Sequence, residues 1–299
     1  HTISGIICFG NIMMSPQLME LCAKKNVLVS FLSEHGRFLA RVQGAVRGNV
    51  LLRRDHYRIA DNDEKRLKIV KNILSGKISN ERSVLHRYLR DHAPDSKAII
   101  KAMNYLANGI ERIRSVESVD SARGIEGDCA KTYSSVFDNL ITAQKEGFKF
   151  TGRNKRPPLD NVNALLSFVY TLLTHDAEGA LEAVGLDPCV GFLHKDRPGR
   201  PSLALDLMEE LRPFFADRLV LSMVNLQRVK AKGFRKTESG AVIMDDSTRK
   251  EVLTAYQERK KEEIYHPFIE EKIQFGSIVY VQARYIRGDI DAYPPFIWK

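Results

Sequence analysis

The sequence predicts an α+β protein with segregated domains: a small N-terminal β domain over residues 1–46, then a large, mostly α-helical domain over residues 47–299. Three observations carry this reading. Short β-branched runs dominate as far as Val42, and beyond Gly48 the apolar residues recur at steps of three and four. Gly44 and Gly48 punctuate that change. With 43% hydrophobic and 28% charged residues over 299 positions, the chain is neither disordered nor fibrous and is long enough for more than one domain.

Within the first part, Gly5 to Phe9 is a short apolar strand. A helix starts at Ser15, as cap, with Pro16 in its first turn. Asn26 to Leu32 and Arg37 to Gln43 read as two strands, and Ser33 to Gly36 as the turn that makes them a hairpin. In the second part, helices are expected near 49–75, 79–92, 95–119, 121–146, 159–175, 177–184, 202–230 and 246–275. Breaks are expected at Gly76, Pro94, 147–158, 185–201 and 233–240, and the segment from Ser277 is ambiguous. The chain opens on His1 where a Met is usual, which suggests a missing N-terminal piece.

Charge narrows the partner class. There are 46 Lys and Arg against 37 Asp and Glu, a formal excess of +9. Residues 1–100 hold 17 basic and 9 acidic side chains, so +8 of that excess lies there. Arg47, Arg53, Arg54 and Arg58 cluster at the domain junction, and Arg228, Lys230, Lys232, Arg235 and Lys236 form a second run. A polyanion, nucleic acid first, fits this pattern, as does a solvated basic surface. No apolar run approaches the ~18–20 residues of a membrane span. Cys8, Cys22, Cys129 and Cys189 are scattered without a C-x-x-C spacing, which excludes a zinc knuckle or iron–sulfur site and fits a reduced cytoplasm.

Three stretches could carry chemistry. In the first, His194 sits at the edge of a Pro/Gly loop that enters a helix capped by Ser202. On that helix Leu203, Leu207, Leu211 and Phe214 share one side, and Asp206 and Glu209 lie roughly 60° apart on a non-core flank. Two carboxylates beside a loop histidine can converge on a hard divalent cation, and the same residues also fit a solvent-facing acidic helix. In the second, Glu126 stands between Gly124 and Gly127 in a helical pattern, where small neighbours let a phosphate approach and Lys131 lies close by. In the third, a basic loop with Arg153 and Arg156 runs through Pro157 and Pro158 into an apolar helix capped by Asp160.

Together these stretches resemble one family, the CRISPR adaptation integrase, the universal catalytic subunit of spacer acquisition. The residues that carry the likeness are Gly124-x-Glu126-Gly127 with Tyr133, Pro157-Pro158-x-Asp160-x-x-Asn163-Ala-Leu-Leu-Ser167, and Gly185-Leu-Asp-Pro with Gly191-Phe-Leu-His194. Arg200-x-Ser202-Leu-x-Leu-Asp206-Leu-x-Glu209-x-x-Arg212-Pro213 completes the set. Arg37 to Gly44 and Gly233 to Thr237 look most like the type I-C branch. The family begins with further strands, so the likeness implies that the β domain lacks its first strands.

The resemblance implies a catalytic metal site of Glu126, His194 and Glu209 at the heart of the helical domain. Spacing from the histidine favours Glu209 over its neighbours Asp206 and Glu210, and leaves Asp206 as a support behind the ligands. Two carboxylates and an imidazole suit Mn²⁺ or Mg²⁺ better than Zn²⁺. The implied reaction joins the 3′-hydroxyl of a duplex prespacer to a phosphodiester of a CRISPR repeat, without a nucleoside triphosphate. DNA contacts are expected from Arg53, Arg54, Lys131, Arg153, Arg156, Arg200, Lys230 and Lys232. The implied partners are double-stranded DNA, a second copy of the chain, a small ferredoxin-like subunit bridging two dimers, and an iron–sulfur nuclease, in a prokaryotic cytoplasm. Two other readings compete: a stand-alone metal nuclease for branched or single-stranded DNA, and a non-catalytic DNA-binding scaffold.

Overall fold

The computed structural model describes residues 3, 5–25, 27–33, 38–42, 50–154, 156–288 and 293–298. The expected turn at 34–36, the boundary at 46/47 and Arg47 lie outside the described residues. The chain divides into two compact units, His1–Leu52 and Arg53–Lys299.

The first unit carries a three-stranded sheet, β1 (Gly5–Phe9), β2 (Leu28–Leu32) and β3 (Phe38–Val42), with β2 in the centre. β1 runs parallel to β2 and β3 antiparallel to it. A parallel pair needs a crossover, and α1 (Pro16–Lys24) supplies it, capped as expected by Ser15, whose hydroxyl accepts from the Leu18 amide. Val29 and Leu32 are fully buried.

The second unit is helical. α2 (Val50–Asp61) begins at the junction, and Asn62 then caps α3 (Asp63–His92). α3 therefore runs straight through Gly76, where a break was expected, and the break falls at Asn62 instead. Gly76 is used for close approach: a Cβ there would lie 3.0 Å from Glu210 Oε2 and 3.1 Å from Pro295 Cβ. α4 (Lys97–Ser115) and α5 (Val119–Val136) pack beside α3 through apolar stripes such as Ile99, Leu106 and Ile113 on α4.

The two helices expected at 159–175 and 177–184 are one, α6 (Asn161–Val184), capped by Asp160 as expected and closed by Gly185 in the left-handed conformation. It is the most apolar helix and holds the middle of the core. The expected helix at 202–230 is broken up: α7 (Ser202–Glu209), a π-type turn over Arg212–Asp217, and α8 (Arg218–Asn225). A hairpin of β4 (Phe234–Lys236) and β5 (Val242–Met244) precedes α9 (Asp246–Lys261). A second hairpin, β6 (Glu263–His266) and β7 (Glu271–Gln274), replaces the end of the expected last helix, and the ambiguous segment forms α10 (Phe275–Gly288). No helix among the described residues is long and apolar enough to cross a membrane. None of the four cysteines forms a disulfide.

Candidate active site

The chemistry-bearing side chains meet where α3, α5, α7 and the loop before α7 come together. α7 follows directly on that loop, so Asp206 and Glu209 stand one helical turn apart over its backbone. Both are buried, at 0% and 5% exposure, which excludes the solvent-facing acidic helix. Ser202 is not the cap that was expected; Pro201 holds that position, and the Ser202 hydroxyl donates to the Lys195 carbonyl 3.2 Å away.

Asp206 organises the loop. Its Oδ2 accepts from the amides of Phe192 (2.6 Å) and Leu193 (2.8 Å), and its Oδ1 from the amide of His194 (2.9 Å). The same Oδ1 lies 2.6 Å from His194 Nδ1. A carboxylate can only accept, so Nδ1 carries the hydrogen and Nε2 is left with a lone pair. That Nε2 is 3.9 Å from Glu209 Oε1. Two more bonds fix the loop: Arg123 Nε of α5 donates to the Leu193 carbonyl at 2.7 Å, and His56 Nε2 of α2 lies 2.9 Å from the Val190 carbonyl. Gly191 allows the close packing, since a Cβ there would meet Ser202 Cβ at 2.7 Å and the His194 carbonyl at 2.9 Å.

Glu126 lies in the middle of α5, at the edge of a stripe made by Ala122, Ile125, Cys129 and Tyr133. Gly124 and Gly127 flank it, and a Cβ at either would touch nothing within 4 Å, so the helix surface around Glu126 is bare. Its carboxylate takes a short hydrogen bond from Lys77 Nζ. The Lys77 ammonium also stands 2.7 Å from Glu209 Oε2, as an ion pair whose angle is too poor for a directed hydrogen bond. Arg212 reaches the other oxygen of Glu209 at 2.6 Å.

The electrostatics follow from this packing. Burial alone would push the Glu209 carboxyl up, yet Arg212 and Lys77 together hold it well below the usual carboxylate range. Burial works against the charged form of Lys77, but Glu209, Glu126 and Glu81 more than offset it and the group stays an ammonium. Glu81, one turn along α3, is pushed up to about 8 by burial, with Lys77 opposing.

The donors fit a hard divalent ion by chemistry, two carboxylates and an imidazole whose free nitrogen points the right way. A cationic group, the Lys77 ammonium, already sits between the two carboxylates. Among the described residues no three His, Cys, Asp or Glu side chains stand close enough to coordinate one ion.

Beside this centre opens a pocket lined by Lys77, Glu81, Tyr133, Tyr170, Arg212 and Asp217, among others. Tyr170 donates to Asp217 at 2.5 Å, and the Arg212 guanidinium lies 4.4 Å from the Tyr170 ring centre. Burial raises Asp217 to about 6.

Of the basic residues expected at DNA, Lys131, Arg54, Arg156, Lys230 and Lys232 are exposed, and Arg53 and Arg200 half-buried. Arg153 is turned inward, bonded to Asn163 Oδ1 (2.6 Å) and Ser167 Oγ (3.1 Å) and lying over the Tyr170 ring. These donors tie the loop to α6. Arg228 is likewise held, by Glu251 and Glu258 of α9.

Comparison with known proteins gives the family and the fold. The family model described as CRISPR associated protein Cas1 matches residues 1–258. The chain belongs to the Cas1 family. A Cas1 relative from Chlorobaculum tepidum, a CRISPR-associated endonuclease, is 53% identical over all of this chain and 89% of its own length. A Cas1 protein from Thermotoga maritima has the same fold, with a TM-score of 0.83 at 22% identity over 100% of this chain and 89% of that one. A casposase bound to an integration product superposes with a TM-score of 0.85 at 24% identity, over 98% of this chain and 79% of the other. These matches bear out the expected family and the expected fold, a small β region followed by a helical catalytic domain. The residues missed by sequence reasoning were Lys77, Glu81, Tyr170 and Asp217. The first two had a signal: they interrupt the apolar stripe of Val70, Ile73, Leu74, Ile78, Val84 and Leu85 on α3.

Proposed function

We propose that this chain is a metal-dependent DNA integrase of CRISPR spacer acquisition, joining prespacer 3′-hydroxyl ends to repeat phosphodiesters. One observation supports the reading: Lys77 pairs with both Glu126 and Glu209, and His194 Nε2 lies 3.9 Å from Glu209, beside a bare helix surface, in a family whose relatives are named endonucleases. Glu126 and Glu209 would hold Mn²⁺ or Mg²⁺ through carboxylate oxygens and His194 through Nε2. Bound there, an ion would supply Lewis-acid polarisation of phosphoryl oxygens and of the attacking hydroxyl.

The chain's own residues supply the rest. Asp206 keeps the hydrogen of His194 on Nδ1, which leaves Nε2 as the nitrogen that would take the ion. Arg212 offsets the charge of Glu209 and stands at the pocket mouth, where negative charge grows as the phosphodiester is exchanged. The open surface at Gly124 and Gly127 gives the DNA backbone room to come down on Glu126. Lys131, Arg54, Arg156, Arg200, Lys230 and Lys232 are the surface cations that would take phosphates. A dimer bridged in pairs by a small ferredoxin-like subunit, and an iron–sulfur nuclease that trims ends, complete the reading. Both partners and the type I-C-like branch rest on the sequence motifs alone.

The test is a plasmid bearing a repeat, incubated with a 3′-hydroxyl duplex and Mn²⁺. Products joined at the repeat are expected, and Glu126→Ala, His194→Ala and Glu209→Ala should each abolish them while DNA binding persists. Cuts without joining would mean a nuclease, and a triple variant with full function would mean a scaffold.

A further inference from the structure

We propose that Lys77 is a built-in counter-cation of the metal centre: it holds Glu126 and Glu209 together without metal, and yields by moving its ammonium toward Glu81. The inference rests on the metal reading above and adds to it a residue that controls occupancy.

Three observations support it. The first is position. The Lys77 ammonium bridges the two carboxylates proposed as ligands, in the space one ion would share. A second cation cannot enter beside it cheaply, because like charges within ~4–6 Å oppose each other's binding by one to three powers of ten. The second is the need for it. Glu126 and Glu209 come from different helices, and two carboxylates at close range, one half-buried and one buried, repel unless a cation lies between them. Lys77 therefore preserves the geometry of the centre through the metal-free state.

The third is a destination. Glu81 follows Lys77 by four residues on the same face of α3, so both side chains lean on the same neighbouring turn. It is 3% exposed, and its Oε2 has no hydrogen-bond partner among the described residues. A buried polar atom without a partner is costly and calls for one. Both residues line the pocket next to the centre, which gives the lysine stem room to swing from one to the other. Lys77 acts here as a positioning residue. It sets how tightly the ion is held, and no bond is made or broken in the exchange.

The experiment is calorimetric titration of the full chain with MnCl₂, without DNA, on the parent protein and on Lys77→Met, Glu81→Gln and the double variant. Lys77→Met should bind Mn²⁺ about ten- to a thousandfold more tightly. It should also show a larger Mn²⁺-dependent rise in Tm, because its metal-free form leaves Glu126 without its cation and Glu209 with Arg212 alone. Glu81→Gln should bind about tenfold more weakly, and the same change should have no effect once Lys77 is Met.

An unchanged or weaker affinity in Lys77→Met overturns the inference, as does Glu81→Gln with parental affinity or equal effects in both backgrounds. Glu81→Gln keeps the ion pair intact, so it decides the relocation even where Lys77→Met folds poorly. If the parent binds Mn²⁺ and Glu126→Ala and Glu209→Ala do not, any such failure belongs to the Lys77 inference alone. If the parent binds none, the metal reading fails and the inference falls with it.

Discussion

Asp206 Oδ1 lies 2.6 Å from His194 Nδ1 and 2.9 Å from the His194 amide nitrogen, so one oxygen fixes both the ring and the backbone that carries it. Two further amides on Oδ2 make Asp206 the anchor of the whole loop. Asp206→Asn places an amide donor among donors and should cost about 2–4 kcal/mol of stability, measured by denaturant unfolding. It should also weaken Mn²⁺ binding about 10- to 100-fold. Undiminished Mn²⁺ affinity would mean that His194 Nε2 is not a ligand.

Gly191 predicts a second loop effect. A methyl group there would lie 2.7 Å from Ser202 Cβ and 2.9 Å from the His194 carbonyl, and neither can move without shifting α7 or the histidine. Gly191→Ala should lower stability by about 1–3 kcal/mol and reduce strand joining more than DNA binding. A variant with parental joining would show that the loop tolerates the shift.

Asp217 predicts a pH dependence. Burial lifts its carboxyl from the ordinary 3.8 to about 6 in the folded chain. Between these values the unfolded chain has released the proton and the folded chain keeps it, so stability falls as pH rises from about 4 to about 6. The fall is about 3 kcal/mol at most. Asp217→Asn preserves an acceptor for Tyr170 and removes the titration. Unfolding curves at pH 4, 5 and 6 should therefore be flatter for the variant by up to that amount; parallel curves would contradict the burial argument.

The basic surface predicts a salt effect. Arg53→Glu with Arg54→Glu should weaken duplex binding and reduce the slope of log affinity against log salt by about 0.9 for each phosphate no longer neutralised. An unchanged slope would make the pair a solvated patch.

The sequence and the structure diverge in instructive places. The strands at Gly5–Phe9 and Leu28–Leu32 and the Ser15 and Asp160 caps were legible because side-chain chemistry and spacing act locally there. Gly76 misled because its purpose is tertiary. It makes room for Glu210 and Pro295 from distant segments, and the surrounding helix overrides its poor propensity. The π-type turn at Arg212–Asp217 hid inside an unbroken helical pattern, since both windings keep a near-helical spacing of apolar residues. At the site, Glu126, His194 and Glu209 were singled out through motif resemblance, and Lys77 escaped. A lysine on an apolar stripe looks like a surface residue until the acids it pairs with, 49 and 132 positions away in the chain, are seen around it. The charge argument needs the same amendment, for one of the 17 basic side chains in residues 1–100 belongs to the acidic centre.

Asn80 sits one turn from Lys77 and donates to the Phe296 carbonyl at 2.9 Å, while its own carbonyl accepts from the Trp298 amide at 2.7 Å. Glu210, next to Glu209, accepts from the Phe296 amide at 2.9 Å. α3 and the end of α7 are thus completed by a segment more than two hundred positions downstream of α3. During synthesis, α3 emerges early with Asn80 unsatisfied and must wait for residues 293–298 before its buried polar groups are paired. Contacts so distant in sequence form late, so the cluster around Lys77 and Glu209 should be among the final parts of the domain to mature. A tag or truncation that disturbs Phe296 or Trp298 would then reach the active site through folding order, without touching a ligand.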